Sequence, residues 1–290
     1  MLIANPIYDV VFKYLLDDNR VARLIISALL GEEVEELEFR PTEVRAEIKD
    51  VILTVLRLDF SASIRTQDGG RKLVLIEIQK AEFPTDIMRF RRYLGHAYAS
   101  DENAWTDDLG NPHALSVLSI YFLGTALRLV DAPVIRVART YRDAATGAAL
   151  SVTDEFIESL THDSIVVQIP LLKSRRPNEL EKLLSIFDQS RRAGGKHELE
   201  IDESEVPEKY RDVLRRLVRA GAEKEVRDSM TVEDDILRVL AQRDRKYAEL
   251  ESEVEEVRRA LDEKDRTLEE ARQAIADRDR LIEQMKKRSG

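Results

Sequence analysis

Between Thr54 and Ile64 the chain alternates without a break. Leu56, Leu58, Phe60, Ala62 and Ile64 share one parity; Val55, Arg57, Asp59, Ser61 and Ser63 share the other. A period of two predicts a β-strand with one apolar face. Gln67-Asp68-Gly69-Gly70 is a turn signal, and Leu73–Gln79 is a second extended run, so the two strands predict a hairpin. Elsewhere the period is helical. Pro6–Leu30 reads as one helix ending at Gly31, Thr85–Asp101 as another, and Pro177–Gln189 and Val206–Ala220 as amphipathic helices around the Gly194-Gly195 loop. Leu37–Ile48 is expected to be extended. Ala114–Leu123 is apolar enough for the middle of a sheet. Val134–Tyr141 and Ile165–Ile169 add strands, separated by a Thr146-Gly147 turn and a short helix near Asp154–Leu160.

The C-terminal pattern has a different period. Leu240, Tyr247, Val254, Leu261, Leu268, Ile275 and Ile282 are each seven apart, with Leu250, Val257, Ala271 and Met285 three further on and Lys264 and Arg278 interrupting that second row. Such a narrow seam predicts a coiled coil, and Lys246–Glu251 and Glu253–Arg258 pairs favour a parallel homodimer. The competing reading is one long helix packed on its own head.

Composition narrows the class. The 290 residues contain no cysteine, which excludes disulfides and thiolate metal sites, and the net charge is −10. Residues 231–290 carry 14 basic and 17 acidic side chains, so the tail accounts for −3 of that charge and the remainder of the chain for −7. A nucleic-acid site must then be a local basic patch on an acidic body. The first ten residues do not read as a signal peptide and no apolar run is long enough for a membrane span, so the expected location is cytoplasmic, with no membrane association.

The candidate chemistry lies in the hairpin. If opposed positions sum to 136, the loop is Gln67-Asp68-Gly69 with Gly69 left-handed, Asp59 faces Glu77, and Arg57 faces Gln79. Facing side chains share one side of a sheet, and two like charges there repel unless neutralised. A hydrated Mg²⁺ (or Mn²⁺), held by one or two carboxylates, is one neutraliser; a diagonal ion pair to Arg57 is the other. Gln79 falls on the same face as Glu77. On the following helix Arg89, Arg92 and Tyr93, together with Arg91 and His96, make a basic-aromatic cluster, readable as a DNA contact or as a solvated helix face. The four histidines show no metal-ligand spacing, and no Walker loop, dinucleotide fingerprint or G-x-S-x-G is present.

Several segments resemble one family in order and spacing. Asp9-Val-Val-Phe12-Lys13, Leu58-Asp59-Phe60, Ile76-Glu77-Ile78-Gln79, the run Arg89…Tyr93…Tyr98 and the strand ending Tyr121-Phe122-Leu123-Gly124 resemble the Rpn family of recombination-promoting nucleases and transposase-like proteins. That family lies within the PD-(D/E)XK nuclease superfamily, and the likeness covers about the first 125 residues. It implies an α/β, restriction-endonuclease-like core of order α-β-β-β-α-β, with a divalent metal on Asp59 and Glu77. In this family's motif glutamine, here Gln79, replaces the superfamily lysine. A further acid from the first helix often joins such sites; Asp9 is the candidate, its ordinary alternative being a favourable charge at a helix N-terminus.

The expected organisation is a nuclease-like domain over 1–172, a helical extension over 173–230 and a coiled-coil tail over 231–290. The expected function is Mg²⁺-dependent hydrolysis of DNA phosphodiesters by an endonuclease, linked to recombination or transposition. The alternative is a catalytically inactive scaffold of the same fold that binds partners through its coiled coil.

Overall fold

The computed structural model describes residues 1–48, 51–67, 69–80, 84–172 and 178–288. From the N-terminus the chain forms β1 (Leu2–Ala4), α1 (Asp9–Leu16), α2 (Asn19–Leu30), β2 (Val34–Phe39), β3 (Glu43–Ile48), β4 (Val51–Arg57), β5 (Phe60–Thr66) and β6 (Arg71–Gln79). Then come α3 (Pro84–Ala99), β7 (Ala104–Thr106), β8 (Pro112–Ala114), β9 (Ser116–Leu123), β10 (Val134–Val137), β11 (Tyr141–Arg142), β12 (Ala149–Leu150), α4 (Glu155–Leu160) and β13 (His162–Gln168). The rest is α5 (Glu179–Leu184), β14 (Glu198–Glu200), α6 (Arg211–Ala222) and α7 (Lys224–Arg288). The expected start of the fifth helix at Pro177 lies outside the described residues.

The main sheet is mixed and six-stranded, in the order β10-β13-β9-β6-β5-β2. β2, β5 and β6 run antiparallel; β6, β9 and β13 run parallel; β10 closes the edge antiparallel to β13. The parallel pair β6–β9 is joined through α3, the crossover that parallel strands require. β9 lies inside the sheet, as its composition predicts.

Two helices replace the one expected over Pro6–Leu30. Asp18 separates them, its carboxylate accepting the amides of Arg20 and Val21 and so capping α2. Gly31 ends α2 with φ +74°, the left-handed stop expected of it. The run Thr54–Ile64 is also two elements, β4 and β5. At the bend between them the Leu58 amide donates to the Thr42 carbonyl, and the Arg40 amide to that of Ser61. Leu58 therefore leaves the face of Phe60, Ala62 and Ile64 and packs with Leu73 and Leu75. Arg57 is not opposite Gln79; it pairs with Glu43 in the β3–β4 hairpin.

The larger apolar core packs α1, α2, α5 and α6 against one sheet face, through Phe12, Ile26, Val74, Ile76, Ile120, Phe122, Phe187 and Leu217. Phe122 stands within ring contact of both Phe12 and Phe187. Residues expected as the 173–230 extension contribute Leu183, Leu184, Phe187 and Leu199 to this same core, and β14 pairs with β1. The first compact unit runs Met1–Glu233 and the second Asp234–Gly290. Within the second, α7 leaves Tyr247, Val254, Leu261, Leu268, Ile275 and Ile282 exposed. No described helix is long and apolar enough to cross a membrane.

Candidate functional site

The β5–β6 register runs from Phe60↔Ile76 to Arg65↔Arg71, each pair summing to the expected 136. The turn closes with the Thr66 amide on the Gly70 carbonyl at 2.9 Å, and Gly69 has φ +86°. Asp68, at the turn's centre, lies outside the described residues. One step beyond Phe60 this register brings Asp59 to Glu77. Asp59 sits in the bend before β5, where its Oδ2 accepts the backbone amide of Ile78 at 2.7 Å.

The face holding Glu77 differs from expectation. It is not the open polar side of a half-buried sheet, because α3 covers it. Phe90, Leu94 and Ala97 form an apolar stripe on α3 that closes over Leu73, Leu75, Val117 and Tyr121. Glu77 is left 2% exposed, and its carboxylate is met by the Arg89 guanidinium. Burial raises the Glu77 proton affinity, while Arg89, the Asp59 backbone amide and Lys13 hold it back. Asp59 is pushed well above the ordinary carboxylate range, first by burial, then by the charges of Glu77 and Asp9 and a hydrogen bond shared with Asp9; the Ile78 amide opposes the shift.

Asp9, the first residue of α1, thus lies close enough to Asp59 to raise its proton affinity. Lys13, one turn along α1, sits 2.7 Å from Asp9 Oδ1 and 3.5 Å from Asp59 Oδ1. The Asp9 amide donates to Glu233 of α7 at 3.0 Å, and Glu233 also pairs with Lys80 at 3.5 Å. The Lys80 ammonium lies 3.2 Å from the centre of the Tyr8 ring.

Gln79 ends β6 on the side of Glu77. Its carbonyl accepts the Gly124 amide at 2.7 Å. A Cβ on Gly124 would meet the Lys80 and Gln79 carbonyl oxygens at 2.5 and 2.7 Å, so this close approach of two backbones requires glycine. Tyr93 is buried, and its hydroxyl donates to the Pro41 carbonyl at 3.2 Å. Burial, reinforced by Glu77 and Glu43, pushes its hydroxyl up to about 12. Arg92 is exposed on α3. The sequence reading missed Lys13 and Glu233 as neighbours of the site. The i, i+4 spacing of Asp9 and Lys13 was the available signal for the first.

Among the described residues no group of three or more His, Asp or Glu side chains is arranged to surround an ion. Asp59 and Glu77 are the carboxylates that could hold an ion; an ion held by only one or two carboxylates, such as Mg²⁺, keeps several waters.

No family model and no curated protein matches this chain. A solved structure, a protein of unknown function from Corynebacterium glutamicum ATCC 13032, is similar at 10% identity over 77% of this chain and 86% of that one, with a TM-score of 0.23.

Proposed function

We propose that this chain is a Mg²⁺-dependent DNA endonuclease of the PD-(D/E)XK type, related to the Rpn nucleases. The observation that carries the reading is the meeting of Asp59 and Glu77 at the end of β6, one buried and one largely buried carboxylate whose repulsion a cation would relieve. Chain order supports it. Among members of the main sheet and their helices, α1–α2, β2, β5, β6, α3 and β9 follow the α-β-β-β-α-β sequence of that fold, with β3–β4 as an insertion.

The reaction is attack of a water oxygen on phosphorus with loss of the P–O3′ bond, the water proton going to solvent and the leaving alkoxide taking one up. Asp59 and Glu77 would hold the ion, with Asp9 beside them; when bound, it lowers the pKa of water and offsets charge growing on phosphorus. Gln79 orients the water with its side-chain amide, and α3 shields Glu77 from solvent. Arg89 and Arg92 are the candidate phosphate contacts, Arg89 once it leaves Glu77. The exposed heptad stripe of α7 supports pairing of two heads through a parallel coiled coil, which raises the affinity of an acidic head for DNA.

One observation favours the inactive-scaffold reading: Arg89 already neutralises Glu77, and Lys13 pairs with both Asp9 and Asp59. Incubating supercoiled plasmid with and without Mg²⁺ separates the two. Metal-dependent nicking by the wild type, absent in Asp59→Ala and Glu77→Ala, is the expected result; equal nicking by Asp59→Ala, or none by the wild type, sinks the nuclease. Sedimentation at micromolar concentration tests the dimer, and a monomer would refute it.

A further inference from the structure

A phosphodiester gains negative charge on its nonbridging oxygens as the attacking water closes on phosphorus, and a fixed cation placed there lowers the barrier. Gln79, at the end of the Glu77 strand, is neutral and cannot supply that charge. Lys80, the next residue, is held elsewhere, over the Tyr8 ring and against Glu233. Arg89 is engaged with Glu77. Lys13 differs from all three: its ammonium stands between two carboxylates from different elements, Asp9 of α1 and Asp59 of the β4–β5 bend, and its charge is felt by Glu77.

The backbone carrying Lys13 is firmly held. Its neighbour Phe12 is fully buried, in ring contact with Phe122, and Val11, Leu15 and Leu16 bury the rest of that helix face. Glu233 accepts the amide of Asp9, securing the first turn of α1. A rigid helix thus presents a flexible four-carbon stem whose tip can turn by a few ångströms without moving its support. The Lys13 side chain is 26% exposed, so part of it reaches the solvent from which a phosphate would enter.

We propose that Lys13 is the catalytic cation of this site: parked between Asp9 and Asp59 in the free protein, it turns to a nonbridging oxygen of the scissile phosphate when DNA binds. The assignment rests on the nuclease reading above and gives the site a positive charge that its strand residues lack. While parked, the ammonium competes with any divalent ion for the Asp59 carboxylate. Its removal therefore has two effects of opposite sign, tighter ion binding and slower cleavage, a combination that a merely structural lysine does not produce.

The test uses full-length wild type, Lys13→Met and Lys13→Arg, with Mn²⁺ binding followed by calorimetry, plasmid cleavage measured under single-turnover conditions, and thermal melting as the check on folding. Lys13→Met should bind Mn²⁺ about threefold to tenfold tighter, through loss of a nearby like charge. It should cleave about 100-fold more slowly, the scale of removing one transition-state donor. Lys13→Arg should recover part of the rate. Cleavage by Lys13→Met within threefold of wild type, or slow cleavage accompanied by weaker Mn²⁺ binding, overturns the assignment while leaving an active nuclease. A wild type that cleaves nothing overturns the nuclease reading and this assignment with it.

Discussion

Val74, Ile76 and Ile78 of β6 point into a core built with α1, α2, α5 and α6; Leu73, Leu75 and Glu77, the residues between them, point toward α3. The first face is closed by four helices and three mutually packed phenylalanines. The second is closed by one helix whose Ile87, Met88 and Tyr98 remain exposed, and it holds the buried acid. The contrast separates a large apolar core from a smaller one that holds an ionisable group. The larger cluster holds most of the buried apolar side chains, and the smaller one holds the buried acid.

Substitutions on the two faces should therefore diverge. Phe122→Ala, which empties the space between Phe12 and Phe187, should cost about 3–5 kcal/mol in chemical denaturation. A loss below that range would mean the larger core can collapse and the two faces are not so different. Gly124→Ala acts where both faces end. Its Cβ would force the backbone away from Gln79 and Lys80, with a cost of about 1–3 kcal/mol and a larger fractional loss of any cleavage than of fold.

Asp59→Asn should move stability the other way. Asparagine still accepts the Ile78 amide and can donate to Asp9. The folded protein raises the proton affinity of Asp59, so the stability associated with its neutral form is complete below the unfolded value and is lost as pH rises through the folded one. The variant should match wild type in acid and exceed it near neutrality by on the order of 1 kcal/mol, the scale of replacing a buried charge with a neutral isostere. Equal denaturation midpoints across that range would show that Lys13 already cancels the repulsion.

The smallest effect is a pair of opposite shifts. His162, on the α3 side of the sheet, should titrate below an ordinary histidine because it is partly buried and near Arg139. His113, in the β7–β8 hairpin, should titrate above one because Asp107 and Glu155 hydrogen-bond its ring. Its contribution to holding the hairpin against α4 is complete below the unfolded value and fades as pH rises through the raised one. Ring-proton NMR titration reads both, and a shared midpoint would contradict the packing difference.

The hairpin register was legible because parity, turn length and Gly69 all demand the same pairing. The bend at Leu58-Asp59 was not, since an unbroken alternation satisfies either one strand or two, and Leu58 is apolar enough for either cluster. The depth of Glu77 was hidden for a related reason. Its cover comes from the stripe Phe90, Leu94 and Ala97, which shows that α3 is amphipathic but not which sheet face it seeks. The arrival of Glu233 depends on a helix more than 200 residues from Asp9, beyond any local pattern.

That last contact sets where the molecule can be cut and rejoined. Val226 and Met230 are buried with the head, and Glu233 caps α1, before the heptad row opens at Leu240. The first ten residues of α7 thus belong to the head's architecture although they continue into the tail's helix. Joining a different C-terminal segment to the head is compatible with the carboxylate cluster only downstream of Glu233. A junction placed at Lys224 would uncap the helix that carries Asp9 and Lys13.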